Sequence, residues 1–227
     1  HNGIEILGCT NAKVVSNTMA NNGDIGLPYT WAGINVTAEG YGEDGRSYDT
    51  TIQNNQITGS QFGINIDSAI RTTISGNSMS AIPNTSLLIG SIGGGGVNIT
   101  GANTYSGETI VTNGTLSVNN TIGSATGSGS VTIATTAKLS GSGVIDGSVT
   151  ITNSARLAPG TDGGVGTLTI HGNLHLDHGS RLEFDLADLN SSDNVSMTSS
   201  TLFLSGQQFT DFTFTALPGF GDGLYTL

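Results

Sequence analysis

Gly3-Ile4-Glu5-Ile6 returns as Gly33-Ile34-Asn35-Val36 and again as Gly63-Ile64-Asn65-Ile66, at equal spacing. Each copy reads Gly, apolar, polar, apolar. An apolar residue at every second position is the strand period, so each copy points two side chains to one face. A short strand recurring at fixed spacing predicts a stack of similar turns, not one globular core. The fold expected is therefore all-β, a β-solenoid.

A second ladder accompanies the first. Val14, Asn17 and Met19 match Ile52, Asn55 and Ile57, then Ile74, Asn77 and Met79. The shared offsets, odd then even, break strand parity at the asparagine. Asn17, Asn55 and Asn77 are thus expected at a sharp bend, in the left-handed conformation that Asn tolerates. Stacked there, they can hydrogen-bond from coil to coil. In this pattern, residues 1–85 resemble the right-handed parallel β-helix of pectate lyase-like proteins. The resemblance implies a single-stranded right-handed β-helix and carries no activity with it.

Gly3 to Asn17 and Gly63 to Asn77 are equal spans, whereas Gly33 to Asn55 is longer by eight. Asn17 to Gly33 likewise exceeds Asn55 to Gly63 by eight. The basic coil is therefore about 22 residues, a length usual for solenoid repeats. One insertion follows the first Asn and another precedes the second. Two protruding loops are expected, at 20–32 and 38–49. They hold the only Trp and three of the five Tyr. Tyr29, Trp31, Tyr41, Glu43, Asp44, Arg46 and Tyr48 are the candidate substrate-binding residues. Aromatic faces stack on sugar rings, and charged groups fix hydroxyls or uronates. The bland alternative is that these rings only anchor the loops to the scaffold. Glu43, Asp44 and Asp49 are candidate Ca²⁺ ligands through hard carboxylate oxygens. No other cofactor is implied. Lyases of the pectate lyase-like fold resemble one another in using an Arg or Lys base beside acidic Ca²⁺ ligands. Arg46 is the only base near these acids, nothing matches a lyase motif residue by residue, and no catalytic residue is assigned.

After a Gly-rich transition at 86–102, including Gly93 to Gly96, the wording changes. Asn103-Thr104-Tyr105-Ser106-Gly107, Gly127-Ser128-Gly129-Ser130-Val131-Thr132-Ile133, Gly147-Ser148-Val149-Thr150-Ile151, Leu157-Ala158-Pro159-Gly160 and Gly166-Thr167-Leu168-Thr169-Ile170 follow in order. Residues 103–188 resemble the autotransporter-associated β-strand repeat of bacterial passenger domains. That implies a β-helical stalk, secreted or on the outer surface of a bacterium, and no catalytic residues. The residues themselves agree. Val111 to Leu116, Ile133 to Leu139, Ile151 to Leu157 and Leu176 to Leu182 each read as strand, turn, strand. The solenoid is expected to run on through 103–227, with another strand in Thr210 to Leu217. An open last coil in this Phe-rich tail would invite aggregation unless capped, so the segment is expected to be part of a longer chain.

His171, His175 and His178 with Asp177 form a tempting metal cluster. Leu168, Ile170, Leu174 and Leu176 are the expected inward residues, which turns the histidines outward as solvated strand positions. Asp162-Gly163-Gly164 and Gly221-Asp222-Gly223 read as plain Gly turns before Ca²⁺ turns. Cys9, the lone cysteine, is expected to be a buried small hydrophobe. The net charge is −11, no basic patch is expected from only 6 Lys and Arg, and nucleic acid is therefore not expected as a partner. No apolar run is long enough to span a membrane.

Two functions follow as expectations. One is a structural or adhesive stalk at a cell surface, whose partners are other surface components and the rest of its own chain. The other is binding, or lyase-type cleavage, of an acidic extracellular polysaccharide at the 20–49 loops.

Overall fold

The computed structural model describes residues 2–22, 32–37, 45–90, 96–189 and 191–227. Among them is no α-helix, only one 3₁₀ turn at Phe209–Asp211. Two nine-stranded parallel sheets run the length of the molecule. The first begins with Ile4–Leu7, Ala32–Thr37 and Phe62–Ile66, and ends with Leu202–Leu204. The second begins with Lys13–Val15 and Thr51–Gln53, and ends with Phe212–Ala216. Shorter sheets close a third side. One holds Thr18–Ala20, Gln56–Thr58 and Ser78–Ser80, and the other holds Val144–Ile145, Thr167–Ile170 and Asn194–Met197. This is a parallel β-solenoid. Nine rungs at the usual strand spacing give a rod of roughly 40 Å.

The register explains why apolar residues alternate. Ile4 stacks on Ile34, Ile34 on Ile64, and Ile64 on Leu87. In the second sheet Leu116, Leu139, Leu157 and Leu182 form one column, as their recurrence in the sequence predicts. The inward columns make one continuous apolar core, with Ile34, Ile64, Leu87, Leu116 and Leu139 all fully buried. Each such side chain contributes about 1.5–3 kcal/mol on leaving water. Rung length varies while register holds. Thr109 pairs with Val131, Val131 with the much nearer Val149, and Val149 with the more distant Leu174. The extra residues leave at corners.

Both long sheets cross residues 86–102 without a break. Leu87–Gly90 pairs with strands on either side of it, and so does Gly96–Ile99.

Gly63, Gly129 and Gly147, at the entry to the first sheet, have a steric cause. A Cβ on Gly129 would overlap the carbonyl oxygen of Gly107, and one on Gly147 would overlap that of Gly129. A Cβ on Gly63 would overlap the carbonyl oxygen of Ser86 in the next rung. The coils approach too closely at this corner for any side chain.

Two expectations are corrected. Cys9 is exposed rather than buried, because it follows the first strand at the corner Gly8–Thr10, outside the core columns. The left-handed bend falls on Ser16, Asn54 and Gly76, immediately before each ladder asparagine. Asn17, Asn55 and Asn77 keep ordinary φ values, because their side chains turn along the stack to bond. At the final described rung Leu202 and Leu204 are exposed beside a hollow of about 200 Å³ that they line with Leu176, Phe184 and Met197, and Phe214 is exposed nearby in sequence on the second sheet.

Candidate functional site

Tyr29, Trp31, Tyr41, Glu43 and Asp44 lie outside the described residues, as does most of the Gly93 to Gly96 run. Of the remaining candidates, Arg46 is half-buried at the end of the second insertion. Tyr48 belongs to a strand, Ser47–Tyr48, which pairs with Ala69–Ile70. The end of the second insertion is thus a rung of the scaffold.

That register brings together a group the sequence did not reveal. Asp49 and Arg71 occupy equivalent left-handed bends, with φ of 54° and 58°. Arg71 Nε donates to Asp49 Oδ1 at 2.7 Å, and its Nη2 donates to Oδ2 at 2.8 Å. The same guanidinium lies 5.6 Å from the centre of the Tyr48 ring, within cation–π reach. Hydrogen bonding to Arg71 holds the Asp49 carboxyl below its ordinary value. Both oxygens that were candidate Ca²⁺ ligands are taken by a cation of the chain itself. Arg71 was missed because it lies one full coil beyond Asp49 in the sequence.

The asparagine ladder forms and extends by one member. Asn17 Nδ2 donates to Asn55 Oδ1 at 3.0 Å, Asn55 Nδ2 to Asn77 Oδ1 at 2.9 Å, and Asn77 Nδ2 to Asn103 Oδ1 at 3.2 Å. Each oxygen also accepts the backbone N–H of the preceding asparagine. Asn103 opens the second of the two sequence patterns, so the ladder bonds the two patterns together. Its Nδ2 continues to the carbonyl oxygen of Ala125.

The histidines are dispersed. His171 Nδ1 lies 2.7 Å from Asp146 Oδ1, whereas His175 stacks on Phe203 at 4.3 Å with the planes 7° apart. Leu168, Ile170, Leu174 and Leu176 are buried between them, as expected. No group of three or more His, Cys, Asp and Glu among the described residues is placed to hold a metal.

A pocket of about 260 Å³ opens on the outer face of the second sheet. Its wall is a small hairpin, in which Thr161 and Gly164 form an antiparallel bridge and Gly163 takes φ of 75°. Asp162 at the tip accepts from Lys138 Nζ at 2.7 Å, which draws its carboxyl below the ordinary value. The hairpin is pinned from behind by Asp193. Its two oxygens accept the N–H groups of Gly166 at 2.7 Å and Asp185 at 2.8 Å. Asp193 is 2% exposed, and burial pushes its carboxyl up. Glu183 and Asp185 line the floor with Thr213 and Thr215. Nothing in the sequence marks Asp193, because one partner, Gly166, comes from the preceding rung and the other, Asp185, lies across a corner of its own rung.

No protein-family model, no curated protein and no solved structure matches the chain.

Proposed function

We propose that this segment is a structural or adhesive β-solenoid stalk, secreted or held at the outer surface of a bacterium. The observation that carries this reading is continuity. Two nine-stranded sheets and a buried asparagine ladder cross the change of sequence pattern unbroken. Such a rod bears load along its axis through parallel ladders and gains stability from each neighbouring rung. The passenger-type wording of residues 103–188 supports the surface setting.

The test is to remove whole rungs from the full-length protein, for instance 131–148, and to measure its reach by electron microscopy together with adhesion. A stalk shortens by about 5 Å per rung, and adhesion falls with reach. Loss of adhesion from exposed substitutions that leave the length unchanged would overturn the stalk reading.

The second reading, binding of an acidic polysaccharide, keeps Tyr29, Trp31 and Tyr41 as its candidates at 20–49. A separate charged surface on the described residues favours a ligand of this kind.

A further inference from the structure

Half of the chain's six basic residues occupy one column. Lys138 pairs in register with Arg156, and Arg156 with Arg181. They stand on three consecutive rungs of the second sheet, about 5 Å apart along the axis. Their strand neighbours Leu139, Leu157 and Leu182 point into the core, so all three cations point outward. Like charges in directly opposed positions are destabilising. A chain with net charge −11 had many acids available to separate them.

The carboxylates present compensate one end only. Asp162 binds Lys138 at 2.7 Å. Glu183 reaches between Lys138 and Arg156, at 3.8 and 3.7 Å, too far for a hydrogen bond to either. Arg181 is exposed and forms no ion pair among the described residues. Arg156 and Arg181 line a hollow of about 300 Å³ with Glu183, Thr136 and Ser154. The Glu183 carboxylate marks where an oxyanion sits against this column.

The rim is also strained at one position. Thr136 and Ser154 are non-glycine residues in left-handed backbone, with φ of 73° and 61°. The equivalent position in the next rung is Gly179, with φ of 76°. Only Thr136 is β-branched and hence a genuine outlier in this region; Ser154 shares its left-handed bend with residues such as Ser16 and Ser199. Strain retained where glycine would relieve it points to use of the side chain. Thr136 and Ser154 thereby stand on the rim of the hollow that Arg156 and Arg181 line, with the Ser154 hydroxyl donating to Asn153 Oδ1 at 2.7 Å.

We propose that Arg156 and Arg181, with Thr136 and Ser154, bind the carboxylate or sulfate groups of a linear anionic glycan running along the solenoid axis. Guanidinium groups grip such groups bidentately. Rungs present the cations at a regular interval, which suits a polymer better than a single small anion. Screening within about 8 Å at physiological salt makes the local column, not the net charge, govern binding. The hollow has no aromatic residue on which a nucleobase could stack, which disfavours single-stranded nucleic acid. This site stands or falls independently of the stalk reading.

The test uses calorimetric titration at physiological salt with a polyuronate, a sulfated dextran, a neutral dextran and a single-stranded oligonucleotide. One or both anionic glycans bind, and neutral dextran does not. The double variant R156Q/R181Q weakens that binding at least tenfold with an unchanged circular dichroism spectrum. Glu183→Gln strengthens it several-fold, whereas the charge-matched Asp222→Asn does not. Thr136→Gly raises the melting temperature and weakens binding. Failure of both anionic glycans to bind, equal affinity in the double variant, or equal strengthening by Asp222→Asn would overturn the proposal. Oligonucleotide binding as tight as glycan binding would overturn the glycan assignment.

Discussion

Asn55 and Asn77, on successive rungs and both fully buried, are joined twice: Asn77 Oδ1 accepts the Asn55 backbone N–H at 3.0 Å and its Nδ2 at 2.9 Å. Asn77 in turn donates to the carbonyl oxygen of Ile52 at 3.0 Å. Asn77→Ala leaves a donor and an acceptor buried without partners, each costing about 1–3 kcal/mol. Chemical denaturation should show a loss of about 3 kcal/mol or more. Asn98→Ala, which removes a single outer-face bond from Asn119, should cost well under half as much.

Gly129→Ala should destabilise the rod although the backbone there is not left-handed. Its Cβ overlaps the Gly107 carbonyl oxygen, and two rungs must separate to admit it. Gly163→Ala meets no atom and suffers only from its φ of 75°, at a cost of about 1 kcal/mol. Melting temperatures should rank wild type, Gly163→Ala, then Gly129→Ala. The reverse order of the two variants would show that backbone conformation, not coil approach, governs the corner.

Asp193 makes stability depend on pH with a definite sign. Burial raises its folded value above 3.8. Its contribution is therefore complete below 3.8 and is lost as pH rises through the folded value. Asp193→Asn abolishes that titration, and its amide cannot accept both N–H groups. The variant should be less stable throughout, with a gap to wild type that narrows as pH rises from 4. A gap that widens would reverse the assignment. Asp162 acts in the opposite sense, contributing above 3.8, but its carboxylate is 93% exposed and screened.

The Asp49–Arg71 pair has ideal bidentate geometry and an exposed setting, with side chains 39% and 62% accessible. Exposed pairs rarely stabilise measurably. Arg71→Ala should shift the denaturation midpoint little, while a local probe such as Tyr48 fluorescence should respond. A large shift in midpoint would mean that the pair holds the insertions as well as itself.

Leu202, Leu204 and Phe214 expose an apolar parallel edge. Leu204→Lys should lower light scattering at high concentration without lowering the melting temperature, since Leu204 is 59% exposed. Unchanged scattering would place self-association elsewhere.

The sequence displayed what repeats. The spacing of Leu116, Leu139, Leu157 and Leu182 matches the observed register because inward positions must stack on one another. The asparagine ladder was legible for the same reason, although Asn103 escaped notice because its neighbours follow a different wording. Groups formed across rungs were not legible. Asp49 meets Arg71, Asp193 meets Gly166, and Lys138 lines up with Arg156 and Arg181 only once the length of each separate coil is known. A solenoid scatters each such group at intervals set by its corners, which composition does not encode.

Those unequal intervals have an architectural consequence. Val131 and Val149 are close in sequence, and Ile4 and Ile34 are much farther apart, yet both pairs stack with the same faces inward. Length added at a corner therefore leaves every other rung in phase. The molecule behaves as a ruler with blank margins: new chemistry can be written at the corners that take up extra length without redrawing the scale.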